Sequence, residues 1–330
     1  MTVVLEVRDL RTEFNTRAGV IRAVDGVSFT LKRGEILGLV GESGSGKSVT
    51  GFSLLGLVDP PGRITGGSIQ LNGTDLVGLP ESELRARRGK EIAMIFQDPI
   101  ATLNPLLTIR KQMMMALEAH QNMTTKAAET RCIEVLQRVG IPDPAARIKA
   151  YPHEFSGGMR QRVAIAIALL HDPAVIVADE PTTALDVSIQ AQILHEMRSL
   201  AAETGTAMIW ISHDLATVSS LAKRLLVMYA GKVVEEGATG TVLRDPRHPY
   251  TRGLITSLPA IAKPGEDLLQ IPGTTPSFLS LPPGCPFAPR CDSAEASCEK
   301  MPEITWDDER MWRCHHPLGR RGTDVRGAQQ

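Results

Sequence analysis

Gly41, Gly46, Lys47 and Ser48 in the stretch GESGSGKS, residues 41–48, stand at the spacing G-x-x-x-x-G-K-[ST]. That spacing suits a polyphosphate. Its glycines let backbone N–H groups turn toward the anion, its lysine reaches the terminal phosphates, and its serine hydroxyl binds Mg²⁺. Local stability does not explain the glycines, because glycine loses the most backbone freedom on ordering. Ser43, Gly44, Ser45 and Val49 complete the candidate cradle. A second feature is AVIVADE, residues 174–180, where Asp179 closes an apolar run as a metal-binding carboxylate at a strand end does. Glu180 follows it and, pointing elsewhere, suits the polarisation of a water for in-line attack on a γ-phosphorus. A third is FSGGMRQR: Ser156 caps a helix whose first turn carries Gly157 and Gly158, and the free N–H groups there form a second anion site. One chain needs one cradle, so the second is expected to serve a nucleotide bound to a different subunit.

These groups need elements to hold them. EILGLV, residues 35–40, is nearly continuous apolar sequence, as in a strand covered on both faces. KSVTGFSLLGLV after it has helical spacing, so GESGSGKS is a strand-to-helix turn. The first region is rich in short β-branched runs broken by glycine. Residues 105–170 read as helical, with IPDP as a stop. AVIVADE, TAMIWISHD and RLLVMYAGKVVEEG return as strands, and SIQAQILHEMRSLAAETG lies between the first two as a glycine-terminated helix. The expected core is α/β with a parallel sheet.

Composition limits the partners. With 36 basic and 37 acidic residues the formal net charge is −1, so no global field draws the chain to nucleic acid or acidic lipid. Charged residues interrupt MTVVLEVRDLRTEF, and no secretory leader is expected. The longest strongly apolar run, VAIAIALL, is far short of the roughly 20 residues that span a bilayer. Other chains are expected to do any spanning.

GESGSGKS, FQDP, FSGGMRQR, VIVADEPTTALD and ISHD, in this order and spacing, resemble the nucleotide-binding subunit of an ATP-binding cassette (ABC) transporter over roughly residues 4–240. The resemblance implies a P-loop NTPase of the ABC ATPase type, with a RecA-like parallel-sheet core, an antiparallel β subdomain and a helical subdomain at about 100–170. The implied domain is 1–240, followed by an irregular extension at 241–330. The resemblance also implies a head-to-tail dimer with two ATP molecules between the phosphate loop of one subunit and the signature motif of the other. Residue by residue, Gln97 matches the glutamine that touches Mg²⁺ and the attacking water. Asp186 matches the aspartate that communicates across the dimer, and His213 the switch histidine on the γ-phosphate. Phe14 is the candidate for stacking on adenine, although an aromatic there serves the core equally well. The signature reads FSGGM where the common form begins with leucine and ends with glutamine; Ser156 and both glycines are kept.

After about residue 240 the composition changes, with seven prolines between Pro264 and Pro289. Such density denies helix and interior strand, and residues 319–330 have too little apolar material to pack, so disorder is expected there. Four of the five cysteines, Cys285, Cys291, Cys298 and Cys314, fall in this extension, a clustering that points to metal in an intracellular protein. Cys132, in a helical segment, is expected to be buried packing. HPYTRGLITSLP and CPFAPRC resemble the tail of ATPase subunits of bacterial dipeptide and oligopeptide importers. In that group the four cysteines are implied ligands of a [4Fe-4S] cluster. Their gaps of five, six and fifteen residues do not give that assignment by themselves, and Zn²⁺ is the alternative. Trp306, Trp312, His315 and His316 lie nearby, as packing or as a histidine ligand.

The resemblance implies an ATP-hydrolysing subunit on the cytoplasmic face of the bacterial inner membrane, powering peptide import. Its implied partners are two transmembrane permease subunits, a second and non-identical ABC ATPase, and an extracytoplasmic peptide-binding protein, with no nucleic acid. Alternatives are import of a nickel complex or glutathione, a redox-sensing tail, or a soluble ABC ATPase acting on DNA or ribosomes. The long coiled-coil arms or second cassette of those soluble proteins are not present in the sequence.

Overall fold

A computed structural model describes residues 2–183, 185–259 and 269–319. In chain order the strands are β1 (Val3–Thr16), β2 (Gly19–Lys32), β3 (Ile36–Val40), β4 (Gly62–Leu71), β5 (Thr74–Asp75), β6 (Ile92–Ile95), β7 (Val175–Asp179), β8 (Ala207–Ser212), β9 (Arg224–Tyr229), β10 (Lys232–Ala238), β11 (Thr305–Asp307) and β12 (Arg310–Trp312). They form an antiparallel sheet of order β2-β1-β4-β5 and an eight-stranded sheet of order β11-β12-β10-β9-β3-β8-β7-β6. The run from β9 to β6 is parallel.

Burial explains why these residues make those strands. Every residue of β3, β7 and β8 is buried, as a parallel strand covered on both faces requires. At Gly38 a Cβ would stand 2.2 Å from Val218 Cγ1, so glycine lets the helix Leu215–Leu221 settle on the centre of β3. Between β6 and β7 the helices Ile109–Glu118, Thr125–Arg138 and Gly157–Leu169 pack on one another around Met113, Cys132, Val135 and Val163. Cys132 is fully buried, and its apolar surroundings push the thiol up to about 11. The glycine end expected for the helix Val187–Thr204 is found, with Gly205 left-handed at φ 71°.

The extension departs from the irregular conformation expected of it. Its proline-poor parts are regular: Pro249–Thr256 is helical, and β12 adds to the edge of the main sheet by pairing with β10. Pro249 stands in the first turn of its helix, where its missing N–H costs nothing, and TWDDERMW contains no proline. Its turn passes through Asp308 at φ 52°. A buried carboxylate anchors this arrangement. Glu235 of β10, with no exposed surface, accepts from the N–H groups of Arg247 and His248 at 2.8 and 2.9 Å and from Arg310 Nη2 at 2.8 Å. Residues 320–330, where disorder is expected, lie outside the described residues, as do 260–268 with Pro264.

Candidate functional site

GESGSGKS joins the end of β3 to the helix Lys47–Leu54, the strand-to-helix turn that the spacing predicts. Gly46 caps that helix at φ 101°, and a Cβ there would meet Ala23 O at 2.2 Å, so only glycine lets the loop lie this close to β2. Thr50 makes the first backbone bond of the helix, to Gly46 O. The N–H groups of Lys47, Ser48 and Val49 therefore have no acceptor within the helix and are free for an anion.

The loop borders a cavity of about 720 Å³ lined by Glu42, Ser43, Gly44, Gly46, Lys47, Ser48 and Val49 on one side and by Gln97, Glu180, Thr183 and His213 on the other. Lys47 Nζ donates to Gly41 O at 2.8 Å and Glu42 O at 2.9 Å. Burial holds its ammonium below the usual lysine range, and the carboxylates of Glu180, Asp179 and Glu42 oppose that shift. Ser45 is buried beneath the loop, where its carbonyl accepts from Gly231 N–H.

Asp179 and Glu180 point to different partners, the divergence that the sequence leads one to expect. Asp179, 5% exposed, accepts from Ser48 Oγ at 3.1 Å. Burial pushes its carboxyl up; the Ser48 bond opposes this, Glu180 adds to it and Lys47 opposes it. A cation beside Ser48 and Asp179 would favour the charged form. Glu180 turns away through a left-handed backbone, φ 46°, a conformation uncommon outside glycine and found where a site holds strain. Its carboxylate accepts from Gln97 Nε2 at 3.1 Å and Thr183 Oγ1 at 3.2 Å, and lies 3.0 Å from His213 Nδ1. Three chain segments thus meet on one carboxylate, next to the serine–aspartate pair.

Other expected residues lie elsewhere. Ser156 accepts from Met159 N–H at 3.4 Å and caps the helix Gly157–Leu169 as predicted. That helix start faces solvent and does not line the cavity. Asp186, exposed at the start of the helix Val187–Thr204, does not line it either. Phe14 occupies a neighbouring depression with Val49, Phe52, Leu57, Val58 and Phe96, so Val49 is the wall common to both. The aromatic on the cavity wall itself is Phe278, accompanied by Leu254. Leu254 comes from the helix Pro249–Thr256 and Phe278 from the proline-rich stretch after it, and both escaped sequence reasoning because no short-range pattern marks a long-range contact.

Cys285, Cys291, Cys298 and Cys314 line a second, small cavity together with His248, His315 and His316. Burial raises the thiols of Cys285 and Cys291, and that of Cys314 to about 11. His248 is fully enclosed, and desolvation takes its imidazole down to about 3, so it stands neutral with Nδ1 accepting from Tyr250 N–H at 3.0 Å. Among the described residues no group of three or more His, Cys, Asp or Glu side chains is set to hold a single metal ion.

Residues 24–183 match the family described as ABC transporter, and 234–298 match the oligopeptide/dipeptide transporter C-terminal region. A peptide import ATP-binding protein of Brucella abortus is 52% identical over 94% of both chains. The oligopeptide transport ATP-binding protein OppD of Salmonella typhimurium is 47% identical over 96% of this chain and 94% of its own. The dipeptide transport ATP-binding protein DppD of Bacillus subtilis is 48% identical over 91% of this chain and 90% of its own. Among solved structures, a dimeric ATP-binding cassette in a post-hydrolysis state bound to ADP and Pi superposes with TM-score 0.64 at 26% identity, covering 71% of this chain and 98% of that one.

Proposed function

Because the chain belongs to the ATP-binding subunits of ABC-type peptide importers, we propose that its cavity binds MgATP and that Glu180 activates the attacking water, powering entry of dipeptides or oligopeptides. One observation carries this reading. The phosphate loop, with Ser48 bonded to the buried Asp179 behind it, and the cluster of Gln97, Glu180 and His213 converge on a single cavity. Ser48 and Asp179, with Gln97, supply hard oxygen donors of the kind Mg²⁺ takes, and the ion neutralises phosphate charge when bound. Ser156, Gly157 and Gly158 cap the second ATP of a head-to-tail pair, a role their outward-facing helix start suits. Asp186 belongs to the same subunit interface, and Phe14 or Phe278 takes the base.

We divide the chain into a cassette at 1–240, with its helical subdomain at about 100–170, and an extension at 241–330. No described helix is long and apolar enough to cross a membrane. On the importer family's pattern, permease subunits supply the span and the chain sits at the cytoplasmic face. Affinity purification of the tagged chain from gently solubilised native membranes tests this. Two polytopic permeases and a second ATPase are expected, with a peptide-binding protein traceable from them. Recovery of only DNA-repair or ribosomal partners overturns the transport reading while leaving the ATP chemistry.

We further propose that the four cysteines hold a [4Fe-4S] cluster. In support, all four cysteines line one small cavity, and a segment short of regular structure gains a fixed shape from a polynuclear cross-link. Zinc is the second reading; it asks four donors to meet one ion at about 2.3 Å. Protein purified without oxygen is expected to carry iron and acid-labile sulfide in equal amounts, both lost in Cys298→Ser. Zinc in their place, or no metal, sinks the assignment.

A further inference from the structure

Glu42 stands inside the phosphate loop, where a carboxylate is out of place. It lines the cavity that receives a polyanion, and an unpaired negative charge there opposes binding. The extension uses almost every polar group this residue has. Its N–H donates to Tyr250 Oη at 2.7 Å. Its carboxylate receives both ends of the Arg290 guanidinium, Nη1 at 2.6 Å and Nη2 at 3.0 Å, and Thr275 Oγ1 at 3.2 Å. The remaining group, the carbonyl, accepts from Lys47 Nζ.

Arg290 is built to stay. Its side chain is 5% exposed, its Nε donates to Pro272 O at 2.8 Å, and the guanidinium lies 5.9 Å from the ring centre of Tyr229 and 6.0 Å from that of Phe287. Tyr250 has no exposed surface and packs on Tyr229 with centroids 4.6 Å apart. A planar fork held this way meets a carboxylate in one geometry, which a lysine does not reproduce. The pairing therefore cancels the carboxylate's negative charge beside the phosphate cradle.

We propose that Arg290 is a positioning residue of the ATP site, acting through Glu42, so that affinity for MgATP is set by the extension as well as by the cassette. This rests on the loop being the ATP site, so wild-type chain that binds no ATP would sink the functional reading itself. Given wild-type binding, the full chain is titrated with ATP and assayed for hydrolysis. Arg290→Met is expected to raise Kd and KM for ATP roughly 10- to 100-fold, with the effect on KM exceeding that on kcat. Adding Glu42→Gln to that variant removes the uncompensated charge and is expected to restore affinity to within about threefold of wild type. A merely structural arginine lowers thermal stability and is not rescued. Unchanged affinity in Arg290→Met, or no recovery in the folded double variant, overturns the proposal. Should Arg290→Met fail to fold, Glu42→Gln alone decides. Leaving the guanidinium uncompensated beside the cradle, it is expected to tighten ATP binding about threefold or more, and unchanged or weaker binding rejects the proposal.

Discussion

Lys47→Ala is expected to raise the dissociation constant for ATP by at least about 100-fold, from the loss of two charge-assisted bonds worth roughly 1.5 kcal/mol or more each. Without nucleotide, Lys47 Nζ is held by the carbonyls of Gly41 and Glu42, acceptors that belong to the loop itself. The ammonium is thus held within the loop on the cavity wall, where a phosphate can take the place of those carbonyls. Its removal has a second effect, because Asp179, Glu180 and Glu42 all act on this ammonium through space. Without it they face an incoming polyanion with less compensation. Titration with ATP reads the loss directly, and the rise in melting temperature that wild type shows on adding ATP is expected to vanish with it. Retention of wild-type affinity would mean that the phosphates lie elsewhere.

The arrangement of the candidate site was legible in the sequence wherever it is local. Gly46, Lys47 and Ser48 sit within one turn of chain, and their place on a strand-to-helix turn follows from spacing. Asp179 and Glu180 were readable because a buried strand ends between them, which sends neighbouring side chains in different directions. Gln97 and His213 were not readable in isolation; each became a site residue only through the order of motifs, and the structure places both against Glu180. The extension's part in the cavity beside the phosphate loop was hidden for a different reason. Arg290 lies 248 positions from Glu42, and no periodicity spans such a distance. Strands β11 and β12, three residues each, are too short to display alternation. Yet a signal did exist in Glu42: an acid in an anion cradle asks for a basic partner, and the one arginine between the first two clustered cysteines supplies it.

Glu180→Gln is expected to bind ATP with near wild-type affinity while hydrolysing it about 10²- to 10⁴-fold more slowly, the range general-base removal produces. The geometry makes the substitution a clean one. A glutamine carbonyl still accepts from Gln97 Nε2, and the amide's N–H₂ group can face His213 Nδ1 in the tautomer that accepts. Shape and hydrogen bonding persist; the ability to take a proton does not. ATP that binds and stays intact should hold two cassettes together, so size-exclusion chromatography with MgATP is expected to shift the variant toward a dimer more than wild type. The strained backbone at Glu180, φ 46°, aims the carboxylate toward the cavity rather than the buried core, which is why its neighbour Asp179 cannot take over. His213, 3.0 Å from the same carboxylate and half-exposed, is the group left to act if turnover stays near normal. In that event Glu180 would be the residue that orients the histidine, and His213→Ala in the Glu180→Gln background would remove what hydrolysis remains.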